Sequence, residues 1–304
     1  MTLSKNKLII FSLNSDLLTL SLCKKLNGEL GLYDEREFPD GESYLCINSD
    51  VKDFDCIVVA DLSHPNTKFL PLVFLLDTLK ELGANSVGLV APYLSYMRQD
   101  RRFIDGEAIT SKLFARMLSH HINYLVTVDP HLHRYHSLDE IYTVPSVVVQ
   151  GAPALAQWLK GQTNLFLVGP DSESEQWIIS IAEVSGHPFV IGDKIRRGDR
   201  DVEVNLPDLS AYAGLTAVII DDVISSGQTI LCCIDALEQQ GVKEIKCAAV
   251  HGIFADSVDK TLIYSGLSAL ITTNTIVHSS NSVDISSLLV EPIIDCLSRI
   301  EGEK

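Results

Sequence analysis

The chain predicts an α/β protein of two tandem units, each a mostly parallel sheet flanked by helices. Short β-branched runs alternate with longer amphipathic stretches along the whole sequence, the pattern of a parallel sheet covered by helices. At roughly 150 residues per domain, 304 residues suit two such units. One stretch is also echoed by a later one. CIVVADLSHPNTKFLPLVFLLDTLKELGANSVGLVAPYL, from Cys56, and TAVIIDDVISSGQTILCCIDALEQQGVKEIKCAAVHGIF, from Thr216, share the order strand, Asp, polar loop, helix ending in Leu-x-x-x-Gly, strand.

The elements follow in order. Strands are expected at Lys7 to Phe11, Cys56 to Ala60, Val87 to Ala91 and Tyr124 to Val128, with helices at Asp16 to Leu26, Phe69 to Leu82 and Thr110 to Leu118 between them. Pro145 interrupts the segment from Tyr142 to Gly151, and a new helical pattern starts at Ala152 to Leu159, so the domains are expected as 1–146 and 147–304. The second half continues with strands at Leu165 to Val168, Ala217 to Ile220, Glu244 to Val250 and Ala269 to Thr272. Its helices are Glu175 to Val184, Thr229 to Gln239 and Leu288 to Ile300.

Forty acidic against 24 basic residues give a net charge of −16, and 46% of residues are apolar. That balance argues against disorder and against nucleic-acid binding, which needs a broad excess of Lys and Arg. No stretch approaches the ~20 apolar residues of a membrane span, and the LIIF run near the start is too short for a signal-peptide core. Seven cysteines without a CxxC pair read as reduced thiols of a cytoplasmic protein.

In the second copy of the echo, IIDDVISSGQTI sets Asp221 and Asp222 at the carboxyl end of a strand and small residues before a helix. Ligands of open α/β sheets sit at that end, and a helix N-terminus offers free N–H groups to a phosphate. Gly227 permits close backbone approach, Ser225, Ser226 and Thr229 add hydroxyls, and the aspartates suit sugar hydroxyls or Mg²⁺. The first copy has Ala60-Asp61 and no glycine in its loop, so it reads as scaffold.

The loop resembles the phosphoribosyl-binding loop of the phosphoribosyltransferase fold. With it, in order, FPDGESYLCI from Phe38, PYLSYMRQDRRF from Pro92, VDPHLHR from Val128, GPD from Gly169 and DKIRRGDRDVEV from Asp193 resemble segments of the ribose-phosphate diphosphokinase family. The resemblance implies two tandem phosphoribosyltransferase-like domains. It implies Mg²⁺-dependent transfer of the diphosphoryl group of ATP to the 1-hydroxyl of ribose 5-phosphate, giving 5-phosphoribosyl 1-diphosphate and AMP, by a homo-oligomer. By the same resemblance Phe38 stacks on adenine, Asp40 and Glu42 hold its polar edge, and Arg98, Gln99 and Asp100 contact ATP. Asp221, Asp222, Ser225, Ser226, Gly227, Gln228 and Thr229 would bind ribose 5-phosphate. His131 and Asp171 would bind Mg²⁺, while Lys194 and Arg196 close on the diphosphoryl group from a flap, so Lys194, Arg196 and His131 are the expected catalytic residues. Read without the family, His131 and His133, two apart at the end of a strand with His136 beyond, would suggest zinc, but no third ligand stands at zinc spacing.

Two departures from the pattern bear on the substrate. Ser172-Glu173-Ser174-Glu175 replaces a glycine-rich turn, and Gln228 stands where a second glycine is common. They leave two alternatives open: a catalytically silent nucleotide-binding regulator, or a diphosphokinase acting on another sugar phosphate.

Overall fold

The structure, a computed structural model, describes residues 7–132, 134–196 and 202–302. It divides into two compact units, one reaching to Gln150 and taking in the chain from Ile285, the other running from Gly151 to Asp284.

The first unit contains β1 (Leu8–Ser12), α1 (Asp16–Leu26), β2 (Glu29–Leu30), β3 (Tyr33–Glu37), β4 (Ser43–Ile47), β5 (Asp55–Val59), α2 (Phe69–Glu81), β6 (Ser86–Ala91), α3 (Thr110–His121), β7 (Tyr124–Val128) and β8 (Ser146–Val149). Six strands pair in parallel in the order β2-β1-β5-β6-β7-β8. The central strands are buried on both faces, which is why they read as unbroken apolar runs instead of alternating. One face packs Ile9, Phe11, Val58 and Leu89 against Leu72, Leu75, Leu76 and Leu79 of α2, the apolar stripe of an amphipathic helix. Gly88 in β6 is held to glycine by the Tyr124 ring, which occupies the space of a Cβ.

The second unit contains α4 (Ala152–Leu159), β9 (Leu165–Gly169), α5 (Glu175–Ser185), β10 (Phe189–Ile191), β11 (Asp193–Arg196), β12 (Val202–Asn205), β13 (Thr216–Ile224), α6 (Gln228–Gln239), β14 (Ile245–Gly252), α7 (Val258–Tyr264), β15 (Leu267–Thr273) and β16 (Asn281–Val283). Its parallel sheet runs β10-β9-β13-β14-β15-β16, the order of the first sheet repeated. An antiparallel hairpin occupies the same topological place in each unit, β3 with β4 and β11 with β12. The repeat inferred from the echo therefore extends over the whole of both units.

The unit boundaries differ from 1–146 and 147–304 for a packing reason. Val147 to Val149 continue the first sheet by pairing with β7, so a boundary after residue 146 would cut β8. The last helix, α8 (Ser286–Gly302), buries Leu289, Ile293, Cys296 and Leu297 and packs on α1, β7 and β8 of the first unit. In the second unit α4 takes the matching place beside α5.

Candidate functional site

β13 runs four residues beyond the expected end at Ile220, because its pairing with β14 continues through Val223 opposite His251 and Ile224 opposite Gly252. Asp221 and Asp222 thus sit on a fixed strand. The Asp222 N–H donates to Asp221 Oδ1 at 3.0 Å. Burial, and then the neighbouring Asp222 charge, push the Asp221 carboxyl well above the usual carboxylate range; Asp171 adds to the repulsion. Asp171 follows β9, the strand beside β13, and caps the turn into α5, where the Ser174 N–H and hydroxyl donate to its side-chain and main-chain oxygens.

Beyond Ile224 the chain is clamped from one side. The Ile224 carbonyl accepts from the Ile253 and Phe254 N–H groups, and the Ser225 carbonyl from Ala255 N–H. Gly227 then opens α6 with φ +69°, and a Cβ there would lie 2.7 Å from Val258 Cγ2. Among the described residues no side chain caps α6, so its first-turn N–H groups, following Ser225 and Ser226, form a ready anion site. Gln228, one of the two departures, is the first residue of α6 and donates its amide N–H to Cys232 Sγ one turn on, at 3.5 Å.

The corresponding loop of the first unit is filled from within. Asp61, with its side chain 6% exposed, accepts from Ser63 N–H at 2.7 Å, Ser63 Oγ at 2.9 Å and Lys68 Nζ at 3.1 Å. Lys68 also reaches the Asp61 carbonyl and Ser63 Oγ. The carboxylate of this loop is thus neutralised and hydrogen-bonded within the protein.

Three expected site segments belong to the first unit. The turn Phe38–Glu42 closes the β3–β4 hairpin through Phe38 N–H to Glu42 O and Gly41 N–H to Phe38 O. In the Arg98 segment Arg98 is exposed and Gln99 half-buried, while the Asp100 carboxylate is 1% exposed and held by both Nη1 contacts of Arg134, at 2.8 and 3.0 Å. Asp100, expected to touch ATP, therefore has its carboxylate taken up by the protein, and Tyr135 reinforces it through its hydroxyl to the Asp100 carbonyl and to Ser111. His131 follows β7 in a backbone with φ +55°, after Asp129 at φ +34°, left-handed values costly for both side chains and typical of sites whose surroundings enforce them. His133 lies outside the described residues.

Lys194 and Arg196 occupy alternate positions of β11, opposite Val204 and Val202 of β12. Residues 197–201, part of the expected flap, lie outside the described residues.

Comparison with known proteins gives these segments a common setting. A family model described as the N-terminal domain of ribose phosphate pyrophosphokinase matches residues 8–121, and a phosphoribosyl transferase domain model matches 137–279. The ribose-phosphate pyrophosphokinase of Sulfolobus acidocaldarius is 32% identical over 87% of this chain and 91% of its own, and that of Saccharolobus solfataricus 33% identical over 90% and 94%. The chain belongs to the ribose-phosphate pyrophosphokinase family. This is a family of enzymes, also known as ribose-phosphate diphosphokinases. The fold agrees: the crystal structure of phosphoribosylpyrophosphate synthetase from Mycobacterium smegmatis superposes with a TM-score of 0.79 over 96% of this chain and 99% of that one, at 23% identity.

For a ribose-phosphate pyrophosphokinase, two supporting groups escape a reading by motif. Arg134 stands 34 residues from the carboxylate it holds, and no spacing rule pairs them. His251, 2% exposed, bonds Thr275 Oγ1 at 2.9 Å and sits beside the strand carrying the aspartates. A histidine inside an apolar strand gave the only signal.

Proposed function

We propose that this enzyme transfers the β,γ-diphosphoryl group of ATP to the 1-hydroxyl of ribose 5-phosphate, releasing 5-phosphoribosyl 1-diphosphate and AMP. The observation that carries the reading is the N-terminus of α6 behind Gly227, which no described side chain caps, four residues (Val223 to Ser226) after the Asp221–Asp222 pair. The N–H groups and the Ser225, Ser226 and Thr229 hydroxyls would hold the 5-phosphate, and the carboxylates the ribose hydroxyls. Gln228 contributes its backbone N–H, since its side chain turns along the helix.

ATP is assigned to Arg98 and Gln99, with Asp100 fixing their segment through Arg134, and to the hairpin turn, with Phe38 on the base and Asp40 and Glu42 at its polar edge. Phosphoryl-type transfer calls for positioning and charge neutralisation more than covalent chemistry. Lys194 and Arg196 would supply the cationic charge against the diphosphoryl group.

Asp221 and Asp222 repel one another at the end of β13 and Asp171 adds to the repulsion from the neighbouring strand, which a divalent cation would relieve; among the described residues no three acidic, histidine or cysteine side chains form a metal-binding group. Mg²⁺ is commonly held by one or two carboxylates and the substrate phosphates, so it needs no such group. Asp171 and His131 are its proposed ligands, and Mg²⁺ when bound would neutralise charge on the phosphate oxygens. Leu70 and Phe74 on α2 and Leu113 and Met117 on α3, exposed at i, i+4 spacing, support a homo-oligomer. The seven cysteines, none of them in a disulfide among the described residues, suit the cytoplasm.

The test is incubation with ATP, Mg²⁺ and ribose 5-phosphate, with sugar-free, EDTA-treated and Lys194→Ala controls, followed by mass spectrometry. AMP and 5-phosphoribosyl 1-diphosphate should form together and only in the complete mixture. ATP binding without either product would shift the reading to a silent regulator or another sugar phosphate.

A further inference from the structure

The β3–β4 hairpin has two unlike faces. Tyr33, Leu45 and Ile47 pack towards the core, with the Tyr33 ring 6.3 Å from Phe11 and its hydroxyl on the Ser12 carbonyl. Arg36 and Tyr44 form a cross-strand pair on the other face, and Phe38 follows two residues beyond Arg36. The Arg36 guanidinium carbon lies 4.4 Å from the centroids of both the Phe38 and Tyr44 rings, which themselves meet edge to face at 6.1 Å and 90°. Phe38 is 36% and Tyr44 37% exposed. A purely structural aromatic pair would turn inward with Tyr33, where burial stabilises most. Here two rings and a cation are assembled on the face that leads away from the core, and the turn that carries Phe38 is held by its own main-chain bonds and the Glu42 N–H to Asp40 Oδ1.

We propose that Arg36 is a positioning residue for nucleotide binding: wedged between Phe38 and Tyr44, it locks the Phe38 ring in the orientation that stacks on the purine base. This rests on the assignment of Phe38 to the base. Guanidinium packs flat on aromatic faces and is weakly hydrated, so it can hold a half-exposed ring at little desolvation cost. Once the cation is removed, Phe38 rotates freely, and ordering it on binding weakens the nucleotide without touching the transfer step.

The experiment compares Arg36→Ala, Arg36→Lys and Phe38→Ala in the full-length enzyme under steady-state conditions, with AMP titrated calorimetrically as a second readout. Two ring contacts of a partly exposed guanidinium correspond to a rise of about fivefold or more in KM for ATP. Arg36→Ala should show this with kcat and the KM for ribose 5-phosphate within twofold of the parent, and weaken AMP by the same factor. Arg36→Lys, which keeps a cation over the rings, should recover most of the loss. An unchanged KM for ATP in Arg36→Ala, alongside a raised one in Phe38→Ala, overturns the role of Arg36. Equal losses for both substrates, or no rescue by lysine, also overturn it in favour of a structural role. An unchanged KM in Phe38→Ala removes the base assignment itself, and the proposal with it.

Discussion

Replacing Gly227 by alanine perturbs the one backbone position on which the anion loop turns. At φ +69° an L-residue with a Cβ costs roughly 1–2 kcal/mol. The new methyl would also sit 2.7 Å from Val258 Cγ2, and forcing such a contact apart adds about 1–3 kcal/mol. A total near 3 kcal/mol corresponds to a fall in Tm of about 6–12 °C for a unit of this size. Because the strain lies between the last strand residue and the first turn of α6, the N–H groups aimed at the phosphate should shift as well. The KM for ribose 5-phosphate should rise more than that for ATP. Calorimetric melting gives the first quantity and steady-state kinetics the second. The double variant Gly227→Ala/Val258→Ala separates the causes: it removes the methyl contact and leaves the φ strain, so a coupling of at least about 1 kcal/mol is expected. A Tm loss below 2 °C, or strictly additive effects, would refute the close-packed loop on which the anion site depends.

Other perturbations probe the remaining parts. Lys194→Ala should lower kcat by about 10³-fold or more, the scale of a cation supplied to transferring phosphoryl groups, with the melting temperature unchanged; single-turnover product formation measures it. Asp222→Asn should raise the KM for ribose 5-phosphate at least tenfold and that for ATP less, and equal rises would detach the aspartates from the sugar. Lys68→Met leaves the Asp61 carboxylate, 6% exposed, without its cation and should cost about 3 kcal/mol in the first unit, read by melting, while the KM values hold.

Much of the architecture was legible because parallel strands buried on both faces, such as Cys56 to Val59 and Leu165 to Val168, write themselves as apolar runs between amphipathic helices. The β3–β4 hairpin was not, since Tyr-Asp-Glu-Arg-Glu shows no apolar alternation; its stability comes from a single inward edge at Tyr33, Leu45 and Ile47. The far end of β13 was hidden for a related reason, as two aspartates look like a loop until their pairing with β14 is seen. At the site, segments continuous in sequence, such as Asp221 to Thr229, could be read directly. Partnerships of single side chains could not: Arg134 with Asp100 depends on which strand ends the fold brings side by side, and Lys68 with Asp61 on how one loop folds back on itself. The place of α8 was unreadable for the same cause, because its stripe of Leu289, Ile293 and Cys296 says that it is covered and not by what.

That last helix sets an order on biosynthesis. The first unit lacks a complete α8 until the ribosome has made about 150 further residues beyond Gln150, a delay of roughly 10–30 s at ordinary elongation rates. The second unit is continuous and can close as soon as it emerges. The half synthesised first is therefore finished last, and until then the apolar surface of α1, β7 and β8 waits uncovered, a natural point for a chaperone to intervene and for a stalled or shortened chain to aggregate.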